Sequence, residues 1–529
     1  MKKSLLILFA CFAFCPPRIV AGIKPFGLIY SQRQRSGILI DKCDGRNPLT
    51  VGKRSTSPLT CMGSPFVPVV LVQFADKKFT VAETDEQVND FYQKYLNGET
   101  EGGHYAGGGS VGAVSEYFRD QSYGQFTPVF VPIGPVTLDN GYAYYGKNSG
   151  SVKDVNINAF YTEAIKDAQD TFTGDWSKFD NNDNGVIDMV FFIYAGRGEN
   201  DSKDRDVDAI WPKENGGGGT IGGLKYGAYA CCNELQRTDP DGIGVMCHEL
   251  SHALGLPDLY DTNMECFGLD YWDLMDAGSY CANGRRPCGY SAYEKDFMGW
   301  RQLIELTPGE EQHLTLYPMS SDLGYGYKIV NPENPDEYYI IENRQNEGWD
   351  KNIGYSTTTY GYFHGLLVTH IDYLEGRWTS NTVNTNSYHQ CCTLIPADGH
   401  LDSSIYVGEE YSVAEYMKSM GGDPFPGTAY VREDNGFVFE PIDSLVGSKA
   451  TVFTTTGETP GLMNQPIYNI TEHEGGVITL DFCPNVADGI ESHSVTEGQD
   501  NRIYNMQGMP VGRDYKGIVI RNGKKVVQN

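Results

Sequence analysis

The order of apolar and polar positions predicts strands and helices mixed together in the first part of the chain. Residues 67–74 form a continuous apolar run between turn residues, which is typical of a buried strand. Thr84 and Gln87 have the spacing of a helix capping box. A second amphipathic helix is predicted over 157–168 and another strand over 186–194. This mixture predicts an α/β domain that extends over residues 64–305.

After residue 305 the pattern changes to short apolar runs separated by turn residues. The runs are 327–330, 338–342, 366–372, 392–395 and 477–482. They lack helical spacing and predict a β-sandwich domain over 306–484. The tail, 485–529, contains Asn522-Gly523, which is a hairpin signal, and is predicted to be a short β module. We therefore expect a multidomain protein.

Composition restricts the class of protein. The chain has 529 residues, of which 40% are hydrophobic, so we expect two or three folded domains and exclude a disordered chain. The formal net charge is −28, which leaves little basic surface to follow a phosphate backbone. Nucleic acid is therefore not an expected partner.

The N-terminus carries the signals of export. Two lysines, an apolar run and the sequence Ile19-Val20-Ala21 predict a cleaved signal peptide over 1–21. Lipidation at Cys11 is the alternative. No later stretch reaches the roughly 20 apolar residues of a membrane helix, so we expect a secreted or cell-surface protein without a membrane span. Residues 22–63 have no sustained periodicity and are predicted to form a pro-segment.

Export would permit disulfide bonds between some of the cysteines. Cys281 and Cys288 are close enough in sequence to staple one loop. The neighbouring pairs Cys231-Cys232 and Cys391-Cys392 would need partners elsewhere in the chain.

One short segment carries the clearest chemistry. His248 and His252 would lie one turn apart on the same face of a helix, where both imidazoles can reach one metal ion. Gly255 can end the helix in a left-handed conformation, and the returning chain would bring Asp258 near the same ion as a third ligand. Glu249 is placed to take a proton from a water at that ion.

Two nitrogens and one carboxylate leave a fourth tetrahedral position open, as in catalytic rather than structural zinc sites. Zinc would lower the pKa of water and polarise a peptide carbonyl, and Glu249 would accept the proton and then deliver it. A helix that merely contains two surface or core histidines is the alternative.

The sequence HELSHALGLPDLYD (248–261), followed by LMDAGSY (274–280), resembles the immune inhibitor A family of metzincin-type secreted metallopeptidases. The resemblance extends over about 65–484. It implies endopeptidase activity, a metzincin-like catalytic domain split by a cleft, and a β-rich domain behind it. Met275 would lie in a Met-turn, as an apolar floor below the zinc ion. Shorter stretches are also similar to the family; they are 115–126, 342–350, 365–372 and 396–399.

The third zinc ligand has two candidates. Metzincins commonly use a histidine, so Asp258 departs from that larger group but is similar to the immune inhibitor A family. Glu294, in a predicted helix over 291–300, would be the ligand in a gluzincin-like arrangement.

A second segment resembles the beginning of a calcium-binding loop. Its oxygen ligands would come from positions 1, 3, 5, 7 and 9 of the loop, with Gly185 at the sharp turn. Phe191 stands where the last ligand, a glutamate, is expected. A plain turn rich in Asn and Asp is the alternative. The predicted calcium ligands, for a structural ion, are Asp180, Asn182, Asn184, Val186 and Asp188.

Two terminal features suggest regulation and sorting. Cys43 could occupy the open zinc position from the pro-segment and keep the enzyme latent, as could Asp41 or Asp44; a disulfide between Cys43 and Cys61 is the alternative. Residues 503–527 resemble C-terminal sorting modules of proteins exported by type IX secretion, which would make the secretion machinery a partner. A last hairpin docked on the sandwich is the alternative for this tail.

These features predict a secreted zinc-dependent endopeptidase, made as a zymogen, that hydrolyses proteins or peptides. Its substrate should lie antiparallel to an edge strand of the sheet, for which 224–231 is the candidate. A secreted adhesin or binding protein with a non-catalytic zinc site is the alternative from another class.

Overall fold

A computed structural model describes most of the chain between residues 59 and 483 and four strands of the tail. The signal peptide and most of the pro-segment, including Cys43, lie outside the described residues. The described ranges are 59–99, 110–150, 152–199, 208–216, 218–332, 334–351, 353, 363–398, 401–407, 411–426, 431–432, 437–438, 451–453, 460–462, 465–483, 503–505, 510–511, 517–521 and 524–528.

The first sheet is mainly parallel, and the chain crosses over between its strands. Its order is β2-β1-β3-β6-β4, with β5 and β7 paired to the two ends of β6. β1, β2, β3 and β6 are parallel, and β4 is antiparallel to β6. The strands are β1 (Phe66–Gln73), β2 (Val129–Thr137), β3 (Val186–Arg197), β4 (Lys213–Gly216), β5 (Thr220–Ile221), β6 (Leu224–Gln236) and β7 (Asp239–Pro240).

Helices cover both faces of this sheet. Successive residues of β1 enter different clusters: Val69 joins one hydrophobic cluster and Val70 the other, as period-2 alternation requires. α4 packs into the second cluster, whereas α1, α2 and α5 pack into the first. The predicted α/β mixture is confirmed, as is the capping box of Thr84 and Gln87 at the start of α1. The helices are α1 (Asp85–Asn97), α2 (Val114–Gln121), α3 (Tyr142–Gly146), α4 (Ile157–Thr171), α5 (Gly244–Leu254) and α6 (Ala292–Phe297).

The predicted edge strand over 224–231 is wrong. These residues lie in β6, between β3 and β4, and Ala230 and Cys231 are completely buried. The strand at that end of the described sheet is β4, whose sequence Lys-Glu-Asn-Gly has no apolar alternation that could reveal a strand. The polar composition of β4 therefore concealed the true edge.

The later region contains two antiparallel-rich sheets with a shared core. One has the order β13-β12-β11-β10-β8 and the other β18-β19-β9. Ile341 from the first sheet and Leu480 from the second belong to the same hydrophobic cluster. Two hairpins, β14-β15 and β16-β17, lie apart from these sheets. The strands are β8 (Ile304–Leu306), β9 (Gln312–Leu316), β10 (Tyr327–Asn331), β11 (Asn334–Arg344), β12 (Gly365–Asp372), β13 (Cys392–Leu394), β14 (Val431–Arg432), β15 (Phe437–Val438), β16 (Thr451–Phe453), β17 (Pro460–Leu462), β18 (Ile467–Glu472) and β19 (Ile478–Phe482).

This later region also contains two helices that the apolar pattern did not predict. They are α7 (Glu375–Thr379) and α8 (Val413–Gly422). α8 begins with a capping box of Ser412 and Glu415 that sequence reading missed. No helix in the described part of the chain is long and apolar enough to cross a membrane.

The five-stranded sheet packs against the first α/β region as well as on its partner sheet. Ile340, the neighbour of Ile341, faces a cluster that also contains Trp272 and Met275. Residues up to Pro484 form one compact unit. The predicted boundaries at 63/64 and 305/306 therefore stay predictions.

Residues 485–529 form a second compact unit. Its sheet has the order β21-β20-β22-β23. Arg521 pairs with Lys524 across the two-residue Asn522-Gly523 connection, so the predicted hairpin is confirmed. The strands are β20 (Ile503–Asn505), β21 (Pro510–Val511), β22 (Gly517–Arg521) and β23 (Lys524–Gln528).

The predicted disulfide bond between Cys281 and Cys288 is wrong. Neither cysteine forms a disulfide; both are buried in the hydrophobic cluster beside the first sheet. The vicinal pairs at 231–232 and 391–392 are also free and buried. Cys61 is disulfide-bonded, with a partner outside the described residues.

Candidate metal centre

The motif helix α5 places its two histidines as the spacing predicts. His248 and His252 are both buried, and their ring centroids lie 4.8 Å apart. Gly255 ends the helix with φ +122°, a conformation that favours glycine, and its N–H donates to the carbonyls of Ser251 and His252. The chain then returns toward the histidines and brings Asp258 beside them.

Three donor atoms converge at this point. Asp258 Oδ1 lies 3.3 Å from His248 Nε2 and 3.2 Å from His252 Nε2. On the far side of each ring, His248 Nδ1 lies 2.9 Å from the Leu274 carbonyl and His252 Nδ1 lies 2.8 Å from the Leu256 carbonyl. A carbonyl can only accept, so each Nδ1 carries a proton, and the Nε2 atom of each ring faces Asp258.

This donor set fits a zinc ion. Two lone pairs and a carboxylate oxygen repel one another unless a proton or a cation lies between them. Two ligands of a tetrahedral zinc, each about 2.0–2.1 Å from the ion, would lie about 3.3 Å apart, close to the observed separations. Backbone carbonyls behind both imidazoles are the usual way of orienting histidine ligands.

The electrostatics of the cluster also favour positive charge. Burial by itself would lower the pKa of His248, but Asp258 and Glu249 raise it to about 9. Burial would raise the pKa of Asp258, but the two histidines hold it well below its usual range. The buried site therefore attracts a cation.

Glu249 is buried on α5, directly after His248. Its charge also acts on Tyr280: burial raises the pKa of the Tyr280 phenol, and Glu249 raises it further. A buried carboxylate beside the histidine pair is where a general base for this centre would stand.

The segment around Met275 contacts the parts of the chain that carry the histidines and Asp258. Met275 is completely buried, and its N–H donates to Asp273 Oδ1 at 2.8 Å. Its carbonyl accepts from the N–H of Leu259, next to Asp258, at 3.0 Å. The preceding residue, Leu274, supplies the carbonyl for His248. The segment thus contacts both the helix and the returning chain, as a Met-turn would.

Asn381 is the site residue that sequence reasoning missed. Its Oδ1 accepts from the Asp258 N–H at 2.7 Å, and its Nδ2 donates to Asp258 Oδ2 at 2.6 Å. It belongs to no motif and lies far along the chain, beyond the predicted boundary at 305. No local signal in the sequence could have found it.

Glu294 lies elsewhere. Its Oε2 accepts from the Ser291 N–H at 2.7 Å and closes the capping box of α6. Burial and the neighbouring Asp273 raise the pKa of Glu294. The group of side chains that could hold a metal ion with His248 and His252 contains Asp258 and not Glu294.

The predicted calcium loop is bonded within itself. Asp180 accepts from the N–H groups of Asn184 and Gly185 at 3.0 and 2.7 Å, and Asn184 Oδ1 accepts from the Val186 N–H at 2.9 Å. Asp188 is buried. These bonds are those of an Asx-rich turn, and calcium binding by Asp180, Asn182, Asn184, Val186 and Asp188 stays a prediction.

A second group, Asp372, His389 and Cys391, also brings together potential ligands. Here His389 Nε2 lies 2.5 Å from Asp372 Oδ2, which is a direct hydrogen bond. Two zinc ligands would be farther apart, so these side chains satisfy each other and we assign no metal to them.

Two buried histidines on α5 and a buried aspartate just after it, beside a mixed sheet, are the arrangement expected of a metallopeptidase. Residues 64–303 match the immune inhibitor A peptidase M6 family, catalytic domain, so the predicted resemblance is confirmed.

Curated relatives agree with this match. The chain is 26% identical over 281 residues to immune inhibitor A of Bacillus thuringiensis subsp. alesti, which covers 45% of this chain and 41% of the relative. It is 26% identical over 214 residues to the pre-pro-metalloprotease PrtV of Vibrio cholerae serotype O1 (strain M66-2), which covers 35% of this chain and 23% of the relative. The chain thus spans less than half the length of these relatives.

Proposed function

We propose that the protein is a secreted zinc-dependent endopeptidase, made as a zymogen. The observation that carries the proposal is the convergence of two histidine Nε2 atoms and Asp258 Oδ1 at separations of 3.2–3.3 Å. A family match over the same segment supports it.

His248, His252 and Asp258 would hold the zinc ion. When bound, zinc lowers the pKa of water and polarises the carbonyl of the scissile peptide bond. Glu249 takes the proton of the attacking water on its carboxylate and delivers it to the nitrogen of the leaving amine. Burial of Glu249 excludes bulk water from this transfer.

The substrate would bind as an extended strand at the edge of the first sheet. β4 is the last strand of the order β2-β1-β3-β6-β4 and lies close to α5. Unpaired backbone groups at a sheet edge can hydrogen-bond an extended peptide. We therefore propose that Lys213–Gly216, and not 224–231, is the edge strand that binds the substrate.

Export and latency are inferred from the N-terminal residues. The predicted signal peptide and pro-segment agree with the name of the Vibrio cholerae relative, a pre-pro-metalloprotease. A structural calcium ion at 180–188 and a sorting role of the tail belong to the same proposal. Since Cys61 is disulfide-bonded and Cys43 is the cysteine that remains for it after signal-peptide cleavage, the latency switch is assigned to a pro-segment carboxylate, Asp41 or Asp44.

The test replaces the base and keeps its shape. Glu249→Gln should retain zinc but lose nearly all cleavage of casein by the processed protein, a drop of about 10²-fold or more. Glu310→Gln, an exposed glutamate, is the matched control and should cleave normally. Equal cleavage by Glu249→Gln and the control would refute the mechanism. Bound zinc without cleavage in any processed form would favour the adhesin alternative.

The ligand assignment has its own measurement. Asp258→Ala should lose zinc by elemental analysis, whereas Glu294→Ala should retain it. The opposite result would establish Glu294 as the third ligand.

A further inference from the structure

The bonds between Asp258 and Asn381 form a reciprocal pair. The amide oxygen of Asn381 accepts from the Asp258 backbone, and the amide nitrogen donates to Asp258 Oδ2. The second bond occupies Oδ2, so only Oδ1 faces the two histidines. The carboxylate is thereby fixed in one orientation, with a single oxygen presented to the metal position.

Asn381 is itself held in an unusual backbone conformation. Its φ is +56°, in the left-handed region that asparagine tolerates better than most residues. Its N–H donates to the Trp378 carbonyl at 3.3 Å, and the Trp378 indole donates to the Tyr293 hydroxyl at 2.6 Å. The loop after α7 is thus anchored to the region that carries α6, which makes Asn381 a rigid support.

The carboxamide can do what a carboxylate cannot. It offers an acceptor and a donor at the same time, and Asp258 needs one of each. A charged residue here would place a second carboxylate against Asp258, whereas a small apolar residue would leave both bonds unmade in a buried site.

We propose that Asn381 is a positioning residue for the metal centre, so that residues after 305 complete a site whose ligands lie within 64–303. This inference rests on the proposed function. It predicts that zinc affinity depends on a side chain outside the segment that matches the peptidase family.

The experiment compares two asparagines in the same backbone conformation. Asn469 also has a φ of +56° and also donates to an aspartate, Asp481 Oδ2, at 2.6 Å, but it lies on the surface away from the centre. Asn381→Gly and Asn469→Gly both keep the backbone conformation; the first removes the two hydrogen bonds to Asp258, and the second removes the one to Asp481. Zinc affinity of the full chain is measured by competition with a chromophoric chelator, alongside the visible spectrum of the cobalt-loaded protein.

Asn381→Gly should bind zinc about 10–100-fold more weakly, with an altered cobalt spectrum, and Asn469→Gly should match the wild type. Equal affinities and spectra in both variants would overturn the inference. If Asn381→Gly does not fold, Asn381→Asp replaces it. This variant keeps the acceptor for the Asp258 N–H and changes the bond to Oδ2. Zinc affinity equal to that of the wild type in Asn381→Asp would also overturn the inference. A wild-type protein that binds no zinc would refute the proposed function instead.

Discussion

The buried ion pair between Arg344 and Asp350 supports the floor of the metal centre from the five-stranded sheet. Arg344 is completely buried, and its Nε and Nη2 donate to both oxygens of Asp350 at 2.8 and 2.7 Å. Other guanidinium N–H groups reach the carbonyls of Trp272 and Gly289, each at 3.2 Å. We predict that Asp350→Ala strongly destabilises the protein.

The magnitude follows from these contacts. Asp350→Ala removes two charge-assisted hydrogen bonds from Arg344, each of which contributes about 1.5–3 kcal/mol, and also the bond that the Gly289 N–H donates to Asp350 Oδ1 at 2.7 Å. It leaves the guanidinium buried, with the Glu342 carboxylate as a partner at 3.3 Å. Breaking one partner of a buried pair typically costs about 3–5 kcal/mol, and we expect a loss of unfolding free energy in that range.

The assay is urea unfolding of the full chain, followed by tryptophan fluorescence. Asp90→Ala is the matched control, since Asp90 and Lys94 also lie 2.8 Å apart but on the surface, and it should change the unfolding midpoint little. Arg344→Met combined with Asp350→Ala should cost less than the sum of the two single variants. An Asp350→Ala loss below about 1 kcal/mol would show that water solvates Arg344 and would refute the reasoning.

Three further predictions concern the surroundings of the centre. Asn384 donates to the carbonyls of Leu259 and Cys392 at 2.7 and 2.6 Å, so Asn384→Ala should lower the unfolding free energy by about 2–4 kcal/mol in the same assay. Burial lowers the pKa of Lys295 to about 8, so below pH 8 the buried ammonium reduces the free energy of unfolding by about 3 kcal/mol. Lys295→Met should restore that free energy. Between pH 8 and about 10.5 the unfolded chain binds the proton and the folded chain does not, so the stability of the wild type should rise with pH. Thermal unfolding measured across this pH range should therefore show the extra stability of Lys295→Met disappearing. Among the described cysteines of the native protein, a thiol reagent followed by peptide mapping should label Cys266 first, because it is the least buried, and slowly, because burial and Asp261 raise its pKa to about 12.

Local patterns were sufficient for much of the architecture. The apolar run at 67–74 and the capping box at Thr84 are found as β1 and the start of α1, because burial and capping depend on neighbours in sequence. The two histidines on one helix face and the helix end at Gly255 could be predicted from the sequence for the same reason. β4 was not, because its four residues are a strand only through pairing with β6.

Contacts between distant residues account for what sequence reading missed. Cys281 and Cys288 looked suitable for a disulfide by separation alone, but separation does not reveal that each thiol is buried in the core. Asn381 gave no signal because its role depends on a partner 123 residues away. An asparagine after a short helix is ordinarily a turn residue, and only the fold places it behind Asp258.

The supports of the metal centre come from both sides of the predicted boundary at 305. The Leu274 carbonyl orients His248 from within the matched segment, whereas Asn381 holds Asp258 from outside it. Arg344, also outside, bonds the carbonyl of Trp272, close to the Met275 segment. A segment cut at 305 would therefore keep all three proposed ligands but lose the groups that fix one of them and that support the Met275 segment. Because metal affinity depends on how rigidly ligands are held, we expect the later sheets to contribute to zinc affinity at the proposed site, even though they supply none of its proposed ligands.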